Sequence, residues 1–185
     1  MSYKEKQKSN PSGLYGKYLL HKMNKGHESF FDYGLSFINI KPYHHILDIG
    51  CGNGYVTSKL LDMVPEGIVY AIDISKTCIK DATKLNKRAI ESNKCDIRLE
   101  NVLDLTLSDG SIDLALALCT IRFWSDYPIA FTNIYKVLKK GGTFLIVDKG
   151  RYDINMVEMD LYMAGFNKVS INKSEEGIVC IVAFK

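Results

Sequence analysis

The chain lacks any apolar run long enough to cross a bilayer. Its longest near-continuous stretch, from Ile112 to Ile121, contains Asp113 and falls far short of the roughly 20 residues a spanning helix needs. Residues 1–10 are charged and carry no apolar signal core, so a cytoplasmic protein with no membrane partner is expected. No Cys-x-x-Cys pair occurs. The five cysteines (Cys51, Cys78, Cys95, Cys119 and Cys180) are odd in number and scattered, which favours free thiols in a reducing compartment and argues against a metal site. Arginine is absent from residues 1–41, where seven lysines stand against three acids, +4 within a chain of net charge +3. Those lysines are dispersed among helix-forming residues and read as a solvated face, so nucleic acid is not the expected partner. There is no internal repeat and no low-complexity tract. With 185 residues, 46% apolar and 24% charged, the chain suits one ordinary globular domain.

What is present is organised around Ile46-Leu47-Asp48-Ile49-Gly50-Cys51-Gly52-Asn53-Gly54, an apolar run that ends in an acid and three alternate glycines. Glycines directly after a buried strand let the backbone turn sharply and bring its N–H groups against a ligand. The helix starting near Tyr55 then offers its unpaired N–H groups. A dinucleotide fingerprint would have its third glycine at position 55, where this chain has Tyr55, so a nucleoside site of another kind is indicated. A glycine-rich turn with no ligand is the competing reading. The next strand, Ile68 to Asp73, also ends in an acid, 25 residues past Asp48. A carboxylate there suits two adjacent ribose hydroxyls, and its rival role is a helix cap shared with Ser75.

The rest of the pattern alternates strands and helices. Two amphipathic helices, over residues 14–23 and 30–38, precede the sheet and meet at Gly26 and His27. A helix is expected from Ser75 to Ser92 with Cys78, Ala82, Leu85 and Ala89 inward, then a strand from Cys95 to Glu100. The apolar strand Ile112 to Cys119 needs cover on both faces. A helix capped by Ser125 or Asp126 follows, and Gly141-Gly142 stops it before the strand 143–148. After a helix over 155–164, a hairpin of strands 166–173 and 178–184 closes the sheet. The expected architecture is α/β: a three-layer α/β/α Rossmann-like sheet, mostly parallel, with one antiparallel C-terminal strand. Residues 1–41 form its helical N-terminal segment and 42–185 its core.

Acid-x-Gly-x-Gly-x-Gly at the first strand, Asp73 at the second, Asn101 at the third and Gly141-Gly142 before the fifth together resemble the class I S-adenosylmethionine-dependent methyltransferases of the ubiquinone- and menaquinone-biosynthesis type. The resemblance spans about residues 42–185 and implies S-adenosyl-L-methionine as cofactor and a small-molecule methyl acceptor. It places Asp48, Gly50, Cys51, Gly52, Asn53 and Gly54 at the aminoacyl tail and loop. Asp73 with Ile74 goes to the ribose, Asn101 with Val102 to the adenine, and Cys119 to the rim at the end of the fourth strand. Asn101 departs from the acid usual at its position, yet an amide can accept from an amino group and donate to a ring nitrogen. The chain has no Asn/Asp-Pro-Pro-Tyr/Phe signature after the fourth strand, which counts against chemistry on the amino groups of adenine, cytosine or glutamine. His27, Arg122 and Trp124 are the catalytic candidates, with Asp148 and Lys149 also near the acceptor position. Residues 13–38 are expected to close over the methyl end. A cofactor-binding subunit without activity and an NAD-dependent oxidoreductase remain the rival readings.

Overall fold

The computed structural model describes residues 28–185. The first amphipathic helix and His27 lie outside the described residues. Helix α1 covers residues 28–35. Then follow β1 (His45–Ile49), α2 (Tyr55–Met63), β2 (Ile68–Asp73), α3 (Lys76–Leu85), α4 (Lys87–Glu91), β3 (Cys95–Leu99), β4 (Ile112–Leu118), α5 (Tyr127–Val137), β5 (Leu138–Asp148), α6 (Ile154–Ala164), β6 (Lys168–Lys173) and β7 (Val179–Phe184). Short 3-10 turns at Val102–Asp104 and Ile121–Phe123 lie in the loops after β3 and β4.

The strands form one sheet in the order β3-β2-β1-β4-β5-β7-β6. Strands β1 to β5 pair in parallel, and β7 runs antiparallel to both β5 and β6. This is the expected Rossmann-like architecture with a single reversed strand. Alternation along each strand divides the core between two faces. Leu47, Ile49, Ala115, Ala117, Phe144 and Ile146 share one cluster with Phe131 and Ile134 of α5 and Leu161 of α6. Ile46, Leu114, Leu116, Leu145 and Val147 share the other with Phe31 of α1 and Leu60 of α2. Two covered faces explain why β4 reads Ile-Asp-Leu-Ala-Leu-Ala-Leu, apolar at nearly every position.

Helix α1 belongs to that second core. Phe31 is buried, and a Cβ on Gly34 would stand 2.5 Å from Val147 Cγ2, so glycine is what lets α1 lie directly on β5. From α1, Glu28 accepts hydrogen bonds from the Tyr55 hydroxyl (2.6 Å) and Lys59 Nζ (3.0 Å) of α2.

Two local expectations are corrected. The single helix from 75 to 92 is broken at Asn86. There the buried Asn86 amide donates to the carbonyls of Gly54 and Ala82 (both 3.1 Å), spending the side chain on the glycine loop and ending α3. Leu85, expected inward, consequently faces solvent. Gly141 and Gly142 lie within β5, because Leu138 is already extended and paired with Ile112. Gly141, at φ 79°, forms an irregularity where the strand shifts register between Ile112 and Leu114.

Candidate active site

The sheet order reverses between β1 and β4. The loops leaving those strands diverge there, opening a crevice at the carboxyl ends, where open α/β sheets take ligands. The loop after β1 is pinned to β2: the N–H groups of Gly50 and Cys51 both donate to the Ile72 carbonyl, at 2.8 and 3.0 Å. Gly50, Gly52 and Gly54 all hold positive φ (75°, 57° and 80°), a region only glycine occupies at little cost. Two also lack room for a Cβ. One on Gly50 would collide with Thr120, and one on Gly54 would stand 2.9 Å from Ala82 Cα. The alternate glycines therefore answer both the turn and the close approach of α3 and the β4 loop.

Asp73 joins the two halves of the crevice. Its Oδ2 accepts from Gly52 N–H (3.0 Å) and its Oδ1 from Ser75 N–H (2.8 Å), while the α3 cap itself is the Ser75 hydroxyl, which accepts from Cys78 N–H. Burial raises the Asp73 carboxyl above its ordinary range, opposed by N–H donors from Ser75, Gly52 and Ile74. A carboxylate has about four acceptor sites, so three N–H donors leave room for a further one. At the third strand, the Asn101 Oδ1 accepts from Leu103 N–H (3.1 Å) and caps the turn Val102–Asp104.

A cavity of about 200 Å³ brings together Gly50, Asp73, Ile74, Asn101 and Val102 of the expected residues. Trp124 also lines it, although its ring belongs mainly to the core, stacked on Phe144 at 6.5 Å between centroids. Thr120 and Phe123, from the loop after the fourth strand that the resemblance places over the methyl acceptor, line it as well, and Glu100, Leu103 and Ser125 do so without having been singled out as wall residues. All five follow the ends of β3 and β4, so position at a strand's carboxyl end was the available signal. The cavity suits a nucleoside: a carboxylate for vicinal hydroxyls, an amide and backbone at Asn101 and Val102, half-exposed Ile74 as an apolar cover, and Gly50 on the loop side.

The remaining residues sit differently. Gly52, Asn53 and Gly54 shape the loop outside the cavity wall, with Asn53 Oδ1 accepting from Tyr55 N–H at the start of α2 (3.3 Å). Cys51 is buried and its thiol is pushed well up by desolvation. Cys119 is half-buried at the tip of β4, in the left-handed region at φ 57°, its N–H donating to Val147 O (2.8 Å) and its thiol raised by burial to about 12. Arg122 lays its guanidinium over the Phe123 ring at 4.4 Å. Among the described residues no cluster of three or more His, Cys, Asp or Glu is placed to hold a metal ion, and no helix is long and apolar enough to cross a membrane.

Asp48 lies beneath the loop, 2% exposed, and accepts from the Thr57 hydroxyl at 2.7 Å. Its side chain braces the start of α2 from below and does not line the cavity. Desolvation raises its carboxyl from 3.8 to about 7, with Asp73 adding to the rise and Thr57 opposing it. A carboxyl raised on folding contributes stability that is fully present below 3.8 and is lost as pH climbs through about 7. Asp48→Asn keeps an acceptor for Thr57 without the charge. It is expected to stabilise the protein by roughly 2–4 kcal/mol at pH 8, with the gain vanishing near pH 4. Denaturant unfolding of both proteins across that range checks it, and a pH-independent difference would refute the account.

The fold and crevice define a Rossmann-like nucleoside-binding α/β protein. Within that class, residues 47–146 match the model of the methyltransferase domain family, and the chain belongs to that family, the class I S-adenosylmethionine-dependent methyltransferases. The chain is 32% identical over 117 residues to O-methyltransferase 3 of Dictyostelium discoideum, covering 60% of this chain and 27% of that protein. It is 29% identical over 116 residues to demethylmenaquinone methyltransferase of Symbiobacterium thermophilum, covering 61% of this chain and 45% of the other. The chain thus spans about a quarter to a half of the length of these curated relatives. Among solved structures, a SAM-dependent methyltransferase from Aquifex aeolicus superposes with a TM-score of 0.73 at 19% identity, covering 89% of this chain and 97% of that one. At that identity the likeness shows the shared fold.

Proposed function

We propose that this chain transfers a methyl group from S-adenosyl-L-methionine to a small-molecule acceptor. The observation that carries the reading is the coupling of the glycine loop to the β2 acid: Gly52 N–H on Asp73 Oδ2 sets the loop beside a carboxylate that lines the cavity. In this reading Asp73 receives the ribose hydroxyls under Ile74, while Asn101 and the backbone at Val102 meet the adenine. Gly50 to Gly54 pass the aminoacyl tail along the loop. The cofactor supplies an activated sulfonium methyl. The chain contributes alignment and exclusion of water, effects that reach about 7–11 kcal/mol in favourable intramolecular cases. Asp48 supports this indirectly, by fixing Thr57 and the start of α2 under the loop.

The free thiols of the described residues suit a reducing, cytoplasmic setting. Of the segment 13–38 expected to close over the methyl end, residues 13–27 lie outside the described residues. The described remainder, residues 28–38, acts as core.

Saturating S-adenosylhomocysteine or S-adenosylmethionine at ~100 times the dissociation constant adds roughly 2.7 kcal/mol of apparent stability, a rise in melting temperature of roughly 5–11 °C for a chain of this size. NAD at the same concentration is expected to leave the melting temperature unchanged. A shift with NAD and none with either sulfur nucleoside would replace this reading with the oxidoreductase one. Labelled S-adenosylmethionine offered with candidate acceptors then separates an active enzyme from a binding subunit.

A further inference from the structure

A further cavity, of about 340 Å³ against about 200 Å³ for the crevice, opens at the other end of the sheet. Leu114, near the start of β4, lines it, whereas Thr120, just past the end of that strand, lines the crevice. At ~3.3 Å per residue the strand holds the two apart by roughly 20 Å. None of the residues assigned to the cofactor lines this second space. The irregular start of β5 creates it, because Gly141 and Gly142 are two successive wall positions without a side chain. Gly141 has nothing within 4 Å of an added Cβ, while a Cβ on Gly142 would stand 2.9 Å from Lys139 O and 3.2 Å from Asp113 O.

The lining combines an apolar wall with uncommitted donors. Phe37, Ile38 and Ile40 come from the connector between α1 and β1, and Phe184 from the end of β7. Phe37 is set edge-on to Tyr33 at 5.1 Å and still 37% exposed, a large ring left to water at the cavity. The one carboxylate in the wall is already matched: Asp113 Oδ2 accepts from Lys139 Nζ (2.7 Å) and from His45 N–H (2.8 Å). Lys140 makes no ion pair among the described residues, so the wall keeps one unmatched positive charge. His44 Nδ1 accepts from Lys41 N–H (3.3 Å), which puts the proton of the neutral ring on Nε2. Burial lowers the His44 pKa, Asp113 opposes the change, and Lys139 and Lys41 add to it.

We propose that this cavity is a second ligand site, for a small carboxylic acid with an aromatic body whose rings lie against Phe37 and Phe184 and whose carboxylate meets Lys140 Nζ and His44 Nε2–H. The site is separate from methyl transfer and does not depend on that reading. A volume of this size with a mostly apolar wall and a few polar groups is that of a small-molecule pocket. Two carboxylate oxygens give each donor its own acceptor, and the flexible stem of Lys140 lets the ammonium follow the ligand. A cationic ligand would meet the unmatched Lys140 charge, and a neutral hydrocarbon would leave both donors unanswered.

The test titrates 2-naphthoate and its neutral counterpart 2-naphthamide into the full 15N-labelled chain, with and without saturating S-adenosylhomocysteine, and follows the amide signals by NMR. The signals of His44, Gly141 and Gly142 are expected to move saturably with 2-naphthoate, and those of Gly50 and Thr120 to stay. The acid should bind ~10-fold tighter than the amide, as one hydrogen bond to a charged group allows. Lys140→Met keeps the apolar stem without the charge and should bring the two affinities within about twofold of each other. Saturation with S-adenosylhomocysteine should leave the 2-naphthoate affinity unaltered. Absence of saturable binding, equal binding of acid and amide, or displacement of 2-naphthoate by S-adenosylhomocysteine overturns the proposal. So does a Lys140→Met protein that keeps the preference, and the native titration decides alone if that variant does not fold. Failure to bind S-adenosylhomocysteine alongside the expected 2-naphthoate shifts overturns the methyltransferase reading and upholds this site.

Discussion

Gly54→Ala is expected to lower the melting temperature by roughly 5–20 °C and to abolish measurable binding of S-adenosylhomocysteine. Gly54 sits at φ 80°, and a Cβ there would stand 2.9 Å from Ala82 Cα and 2.5 Å from the Asn86 amide nitrogen. The backbone at Ala82 cannot yield as a side-chain tip can, so α3 must move. Left-handed strain costs about 1–2 kcal/mol and overpacking about 1–3 kcal/mol, and each kcal/mol is about 2–4 °C in a protein of this size. Displacing α3 also breaks the two bonds by which Asn86 holds the Gly54 and Ala82 carbonyls. Gly110→Ala is the control: φ is 63° but nothing lies within 4 Å of the added Cβ, so only the strain remains. Thermal melts of the two variants side by side check the argument. A Gly54→Ala protein no less stable than Gly110→Ala would remove the steric explanation.

Asp73→Ala is expected to weaken S-adenosylhomocysteine binding about tenfold or more, and also to destabilise the unliganded protein by roughly 1–3 kcal/mol. The first effect follows from removing a charged acceptor, whose hydrogen bonds contribute about 1.5–3 kcal/mol each. The second arises because Asp73 accepts from both Gly52 and Ser75 N–H groups before any ligand arrives. Asp73→Asn separates the two effects. Its single oxygen keeps one backbone bond and restores part of the stability, while the missing charge leaves affinity low. Calorimetric titration together with denaturant unfolding reads both quantities. Unaltered affinity with a large loss of stability would make Asp73 a structural brace only.

The fold was legible because its signals are local. The near-continuous apolar character of β4 required cover on both faces, and the alternate glycines after β1 marked a turn that other residues do not make. Asp73 was likewise readable as the acid closing the second strand. The break at Asn86 was not legible, since the periodicity of 75–92 runs through it and the cause is a bond to Gly54, 32 residues away. The cavity walls at Glu100, Leu103 and Ser125 were missed for the same reason: nothing in the composition of those loops says that they converge. Asp48, by contrast, was assigned to the ligand because it precedes the glycines, yet the alternation of β1 sends its carboxylate beneath the loop onto Thr57.

The sequence by itself determined the class of the sheet, the location of the nucleoside crevice and the residues that shape its loop. These depend on backbone conformation and apolar periodicity, and both are written over a few neighbouring residues. Only the tertiary structure decided which carboxylates line the crevice and which are braces. It placed Asp73 on the cavity wall, closed Asp48 beneath it, and left one oxygen of Asp148 without a partner at the end of β5. A carboxylate's role is set by its burial and by the donors around it. Those donors, Gly52 for Asp73, Thr57 for Asp48 and Tyr152 for Asp148, reach their positions only when the strands and helices that carry them are packed together.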